Sequence, residues 1–539
     1  MNKRTLYFLC AGLVALFLLT RFAGLHQIYH QDEYRWAAIA QPGLDESVGP
    51  HPPLTRIVLR ATGLLFGFDN LRIAPVLFSL LNLVLIYAIA RRVSNDRSVG
   101  LVAAALFTIV PYALIASLMI DIDGVFLPFF ILLSYLAYLH IRARERLAFW
   151  IPIAVIAVVG GFLTKLSYTL FLLALGFELA VEFWFAYRNN IRRWLPYVLG
   201  IAGAGIGLGV LAYVLFAAQF QEVLTYAFHF KSFNFASRSY GDMGFKLINV
   251  LTWTSPLLIF GSLSALMDRA VVRRYRIWIW YLIINLVFYL VLFDFTTLTI
   301  ERYFMFLILP LIFLSVEPVR AMILQVRKVP VAALIVLVGL VCLLLLPHTA
   351  LPLNPKSAYL EHVQSLKLNF LIPFSGGSGP AGFYFSALFL AVAWMVSGIA
   401  WVRARRGVAT LFLVVSIGSC MLISAEYLWG TWFGSVPKVA RAAVEYTNAH
   451  AKQNSVITYY DIGAYDLTLA GVYWSRFYTA PGRDYTEKMT AFRGTYMIVD
   501  FPAIGKENRY WPLITRCPQT WHIQDKAVNA YVFDCSALP

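Results

Sequence analysis

The sequence predicts a polytopic α-helical membrane protein, and three observations carry that prediction. Hydrophobic residues make up 60% of the 539-residue chain and charged ones only 13%, more apolar surface than a water-soluble fold of this size can bury. Apolar runs of about 17–23 residues recur, each long enough to cross a hydrocarbon core of ~30 Å. The Lys and Arg behind the formal charge of +16 sit mostly in short loops on alternate sides of those runs. That distribution is a topological signature rather than the mark of a nucleic-acid partner.

Taken in order, thirteen spans are read at 5–22, 72–90, 99–119, 124–141, 149–164, 167–186, 195–217, 247–267, 277–294, 302–318, 330–346, 382–402 and 408–425. The first follows Lys3 and Arg4, is longer than a signal-peptide core and lacks a small-residue cleavage site before Arg21, so it is read as a retained helix. Every loop on one side carries at least three cations, from Arg91, Arg92 and Arg97 in the first to Arg403, Arg405 and Arg406 in the last. With a cytoplasmic N-terminus the positive-inside rule holds throughout. The segments 23–71, 218–246, 347–381 and everything after 425 then lie outside, in a plasma (inner) membrane topology. Residues 56–68, TRIVLRATGLLFG, are too short to span and carry Arg56 and Arg60; they read as an interfacial helix.

The chain divides into a transmembrane module, 1–425, and a soluble α/β domain, 426–539, beyond an aromatic, glycine-containing junction at Gly430 to Pro437. In the domain, periodicity predicts a helix at 438–452, a strand at 455–460, a short helix near 464–471, a strand at 495–501 and a helix near 507–515. A hairpin follows, with strands near 519–524 and 530–535. Cys517 and Cys535 are equidistant from Lys526 in its turn, which sets them across the two strands and, in an oxidising exterior, predicts a disulfide.

Four polar constellations interrupt this apolar scaffold. Asp32 and Glu33 follow the first span amid His30, Tyr34, Arg35 and Trp36. One carboxylate can take a proton from an acceptor hydroxyl while its neighbour orients the acceptor or holds a cation; the plainer reading is a wet loop. Asp121 and Asp123, in MIDIDGVF, stand at the outer end of the third span. They can bind a divalent cation or orient a basic partner, or simply make a tight turn with Gly124. Lys165, Arg302 and the loop cations His229, Lys231 and Arg238 face outward against the usual charge bias, which a lipid-linked phosphate or ordinary headgroup contact would explain. His51 precedes Pro52-Pro53, whose fixed backbone aims the chain into the interfacial helix. No phosphate-binding glycine loop, zinc-type cysteine cluster or nucleotide fingerprint occurs in the sequence, and charges inside the spans are few, Glu178 and Glu182 excepted.

In order and spacing these segments resemble a known family: C-type-fold (GT-C) integral-membrane glycosyltransferases of the protein O-mannosyltransferase and aminoarabinose-transferase kind. The resemblance covers roughly residues 1–320. It lies in QDEYRWAAIA after the first span, PHPPLTRIVLRATGLLFG, LRIAPVLFSLLNLVLIYAIARR, SLMIDIDGVFLPFFILLSYL, GGFLTKLSYTLFLLALG and ERYFMFLILPLIFL. It implies transfer of a sugar from a polyprenyl-phosphate donor to a hydroxyl on a protein, lipid or glycan at the outer face, by inverting displacement. It makes Asp32 the base or acceptor-orienting residue and Glu33 its support. Asp123, or one turn away Asp121, becomes the family's acid, Lys165 its phosphate contact and Arg302 its outer arginine. Where some members carry Lys before the double proline this chain has His51. Tyr34, Arg56 and Arg238 complete the substrate-binding candidates. No cofactor is required, although Asp121, Asp123 and Glu33 are the candidates for a divalent cation. Membrane lipids are the remaining partners. A lipid or polysaccharide transporter, or a lipid-linked glycan ligase or polymerase, is the competing reading.

Overall fold

The computed structural model describes residues 3–29, 31–42, 52–187, 240, 255–292, 301–325, 353–354, 367–371, 382–386, 416–418, 420, 424–425, 427–430, 434–459, 463–477, 495–500, 516–526 and 528–536. His30, His51 and Arg238 lie outside them, as do the expected spans at 195–217 and 330–346 and most of those at 382–402 and 408–425.

Helix α1 (Lys3–Ala23) leads through a short loop to α2 (Gln31–Ala40), and α3 (Leu54–Phe66) opens directly after Pro53. In α3, Thr55, Leu59, Thr62 and Gly63 face the protein while Ile57, Leu64 and Leu65 point outward. Arg56 is exposed on the same helix. A helix with outward apolar side chains and flanking cations suits the membrane interface. Next come α4 (Ile73–Ser94), α5 (Arg97–Ile109), α6 (Pro111–Leu118), α7 (Leu127–Arg142), α8 (Leu147–Thr164) and α9 (Tyr168–Tyr187). Asn95 in the left-handed conformation stops α4, and the Asp96 carboxylate then caps α5 by accepting from the Ser98 N–H at 2.8 Å. Further on lie α10 (Pro256–Leu266), α11 (Arg269–Arg274), α12 (Arg276–Val287), a 3₁₀ turn at Glu301–Leu307 and α13 (Ile308–Gln325).

Among the described residues, six helices are long and apolar enough to cross a membrane, or seven if α5 and α6 count as one broken span. These two meet at 69° rather than forming the single straight helix expected over 99–119. Pro111 is the cause: it has no N–H for the Phe107 carbonyl, and extended Val110 interrupts the turn. The freed carbonyls are taken by Arg21, wholly buried at the end of α1, which donates to the oxygens of Thr108 at 2.8 Å and Phe107 at 3.5 Å and to Ser117 Oγ at 3.0 Å. The core of the bundle is aromatic and aliphatic, with Trp278 of α12 stacked on Phe313 of α13 at 4.4 Å.

Among the described residues the loops rich in arginine gather at one end. There Arg92 pairs with Glu145, Arg142 with Glu182, Arg276 with Glu178 and Arg320 with Asp96. The opposite end carries the polar residues of the first loop and a sheet from the C-terminal region.

A small antiparallel sheet, β1 (Leu353–Asn354), β2 (Lys367–Leu371) and β3 (Gly382–Ser386), runs in the order β1-β3-β2. Strand β3 occupies the first residues of the span expected at 382–402, a correction explained by the aromatic alternation of GFYFS, which suits a strand better than a helix start. Beyond α14 (Val436–His450), β4 (Val456–Tyr459), α15 (Ala464–Leu469), β5 (Tyr473–Phe477), β6 (Tyr496–Asp500), β7 (Gln519–Asp525) and β8 (Val528–Asp534) make a five-stranded sheet, order β5-β4-β6-β8-β7. Strands β5, β4 and β6 are parallel, whereas β8 and β7 form an antiparallel hairpin whose turn holds Lys526 at φ 58°. Periodicity did not mark β5 (YWSRF). Val439, Ala440 and Ala443 of α14 pack on Val528, Ala530 and Val532 of β8, and Cys517 and Cys535 are joined by a disulfide.

Candidate functional site

Glu33 stands in the first turn of α2, but it does not project into solvent. Its carboxylate is buried and accepts two bonds from Arg72, from Nη1 to Oε1 at 2.6 Å and from Nη2 to Oε2 at 3.0 Å. Oε1 also accepts from the Ile120 N–H at 2.9 Å. Arg72, at the threshold of α4, donates further to the carbonyls of Ile28 at 2.9 Å, Gln27 at 3.2 Å and Leu118, and lies 4.9 Å from the Tyr29 ring centre. A buried charge pair is tolerable only when it is hydrogen-bonded all round, and this one is. The pair ties the first loop to the end of α6. Its key partner, Arg72, reads in the sequence only as the opening residue of an apolar span, and its sole local signal is a cation at the outer mouth of that span.

The Ile120 N–H gripped by Glu33 is three residues from Asp123. Between α6 and α7 the chain makes a single π turn, Ile122–Phe126, where the Asp121 carboxylate accepts from the Ile122 N–H. Gly124 is required there, because a Cβ would lie 2.6 Å from the Ala116 carbonyl oxygen. The turn delivers Asp123 to Lys165, which ends α8: Nζ donates to Oδ1 at 2.7 Å and Oδ2 at 2.6 Å. Lys165 is only 14% exposed and Asp123 9%. Burial by itself would lower the lysine pKa, but the Asp123 carboxylate outweighs it and raises the value above the usual lysine range. The ammonium also lies 5.0 Å from the centre of the Tyr303 ring. Tyr303 is the neighbour of Arg302 in the 3₁₀ turn, and beside it a small cavity is lined by Asp123, Tyr281, Asn285, Tyr289 and Tyr303.

The structure therefore brings Asp123 and Lys165 into contact and joins Glu33 to the same turn. The backbone of Asp32 belongs to α2 and that of Arg302 to the 3₁₀ turn, while both side chains lie outside the described residues. Glu33 is engaged by Arg72 and the Ile120 N–H. Arg56 is exposed on α3. Among the described residues no three His, Cys, Asp or Glu side chains converge on a point, Asp121, Asp123 and Glu33 included.

The C-terminal sheet reaches this end through α15. Tyr465 meets Tyr29 edge-on at 5.0 Å and its hydroxyl donates to the Phe68 carbonyl at 3.2 Å. Tyr34 packs against Tyr473 at 5.7 Å and receives a bond from the Thr468 hydroxyl at 3.4 Å. Arg441 donates to the His26 carbonyl at 2.6 Å, and Ile28 is buried within the core of the C-terminal unit. Tyr34 is thus a bracing contact between α2 and the sheet.

Comparison with known proteins gives these features a setting. A family profile described as dolichyl-phosphate-mannose-protein mannosyltransferase matches residues 50–213. No curated protein matches. Of solved structures, ArnT from Cupriavidus metallidurans in the apo state aligns at 17% identity with a TM-score of 0.53, covering 97% of both chains. The same protein bound to undecaprenyl phosphate aligns at 17% identity and a TM-score of 0.51, with the same coverage. The oligosaccharyltransferase AglB from Archaeoglobus fulgidus, solved with an inhibitory peptide and a dolichol-phosphate, aligns at 11% identity and a TM-score of 0.45, over 98% of this chain and 75% of that one. Over residues 50–213 the chain resembles the dolichyl-phosphate-mannose-protein mannosyltransferases, and as a whole it is a multi-pass membrane protein with the GT-C fold of ArnT.

Proposed function

We propose that this protein transfers a sugar from a polyprenyl-phosphate donor to a hydroxyl acceptor at the outer face of the membrane. The observation that carries this reading is the buried Asp123–Lys165 pair at the end of the bundle opposite the arginine-rich loops. A lysine kept charged there, beside a 3₁₀ turn that begins Glu301-Arg302, has the chemistry to receive a phosphate. The fold shared with ArnT, which has been solved with undecaprenyl phosphate bound, supports the same donor class. The arginine-rich end is then cytoplasmic, and the C-terminal sheet is extracytoplasmic.

In the reaction Asp32 takes the proton of the acceptor hydroxyl as its oxygen attacks the anomeric carbon from the face opposite the phosphate. The bond from that carbon to the phosphate oxygen breaks, its electron pair leaves with the polyprenyl phosphate, and the sugar configuration inverts. Lys165 and Arg302 stabilise the charge gathering on the departing phosphate. Glu33 holds α2, and with it Asp32, in register with the Asp123 turn through Arg72 and Ile120. Asp123 keeps Lys165 in place before the donor arrives. Activity is expected without an added divalent cation.

The test is Asp32→Asn in membranes supplied with donor and acceptor. General-base assistance contributes roughly 10²–10⁴-fold, so transfer should fall at least a hundredfold while donor binding and thermal stability are retained. Unchanged turnover would remove Asp32 as the base.

A further inference from the structure

A large cavity is at the end opposite the Asp123–Lys165 site. Asp123 precedes α7, and the cavity surrounds the C-terminal turn of that helix, at His140 and Arg142. Sixteen residues of helix separate the two ends, a rise of ~24 Å. The cavity therefore opens at the other membrane surface.

Its volume is about 1430 Å³, larger than the usual ~300–1,000 Å³ of a small-molecule pocket. Among the described residues six arginines line it, Arg91, Arg92, Arg142, Arg273, Arg274 and Arg276, against two acids, Glu178 and Glu182. Most of these cations are already engaged: Arg276 with Glu178 at 2.7 Å, Arg142 with Glu182 at 2.6 Å, Arg92 with Glu145 at 2.9 Å and Arg274 with Glu317. Arg91 and Arg273 are exposed and form no ion pair among the described residues. They add two guanidinium forks to the lining of one basic chamber whose neighbouring cations are paired. Such forks match phosphate oxygens in a bidentate way. The lining also holds aromatic side chains, Trp150, stacked on His140 at 4.0 Å, and Phe185. Phe149, Trp184 and Phe185 stand exposed near the same end, in the manner of side chains at a bilayer interface.

We propose that this chamber is a second ligand site, which binds the phosphate headgroup of an anionic lipid from the arginine-rich side of the membrane. The aromatic, outward-facing rim selects a lipid over a soluble anion, because it can take the glycerol and upper acyl region while Arg91 and Arg273 take the phosphate. Basic pockets between transmembrane helices hold such headgroups elsewhere by the same electrostatics. The ligand binds without reacting.

The experiment is native mass spectrometry of the full-length protein in detergent with added phosphatidylglycerol or phosphatidylcholine. The wild type should retain phosphatidylglycerol at least tenfold more strongly, and Arg91→Gln with Arg273→Gln should abolish that preference. Arg144→Gln with Arg146→Gln removes the same charge from the same end outside the chamber and should leave the preference intact. Equal retention of the two lipids, an unaltered preference in the Arg91/Arg273 variant, or an equal loss in the Arg144/Arg146 variant would each overturn the site. Displacement of the lipid by an equimolar amount of inorganic phosphate would overturn the lipid assignment.

Discussion

Arg72 makes bonds to Glu33, Ile28, Gln27 and Leu118, joining the first loop, the start of α4 and the end of α6. Its removal leaves Glu33 buried without its counter-ion, which costs about 3–5 kcal/mol. Arg72→Ala is therefore expected to lower the unfolding temperature markedly in detergent. Glu33→Gln, which keeps the shape and still accepts from Ile120, should cost less; the reverse order of stability would refute the clamp. Lys165 gives a prediction about pH. Its folded pKa is raised, so the stabilisation from the Asp123 pair is fully present below the unfolded lysine value of ~10.4. That stabilisation is lost only as pH rises through the still higher folded value. Between pH 6 and 9 the stability difference between wild type and Lys165→Met should stay constant, and a slope there would show that another group titrates with the pair.

At the scale of elements, the π turn between α6 and α7 decides where Asp123 points. Gly124→Ala sets a methyl group against the Ala116 carbonyl at 2.6 Å, and the backbone of one element must move. A loss of about 1–3 kcal/mol is expected, together with weaker donor binding, measured by thermal unfolding and donor titration. The break at Pro111 shows the same dependence between elements. Its orphaned carbonyls would be costly in an apolar bundle had α1 not ended in Arg21. Seen in the sequence, Arg21 is a charge at a helix end. Seen in the fold, it completes another helix.

At the scale of the molecule, the C-terminal sheet is fastened to the first loop by Tyr465, Tyr473, Thr468 and Arg441. The domain is expected to brace α2 rather than act alone. Tyr465→Ala combined with Tyr473→Ala should slow sugar transfer about tenfold or more and expose residues 23–71 to proteolysis, with the transmembrane bundle still folded. Full activity with a protease-resistant loop would detach the domain from the mechanism.

Much of this architecture was legible in the chain. The apolar runs gave the spans of α1, α4 and α7 to α9 within a few residues, because hydrophobic length and period are local properties that a bilayer reads directly. The outward apolar face of α3 and the β7–β8 hairpin were readable for the same reason. The sequence also singled out Asp123 and Lys165 as polar residues misplaced in an apolar setting. Their partnership across 42 positions depends on how α7 and α8 pack, as does that of Glu33 with Arg72 across 39. The contact of Tyr34 with residues more than 430 positions away depends on the docking of a whole domain. No local period encodes such pairs. The sequence by itself determined which of the described helices are long and apolar enough to cross a membrane, and only the tertiary structure decided which buried charges neutralise one another, since that is fixed by packing between elements.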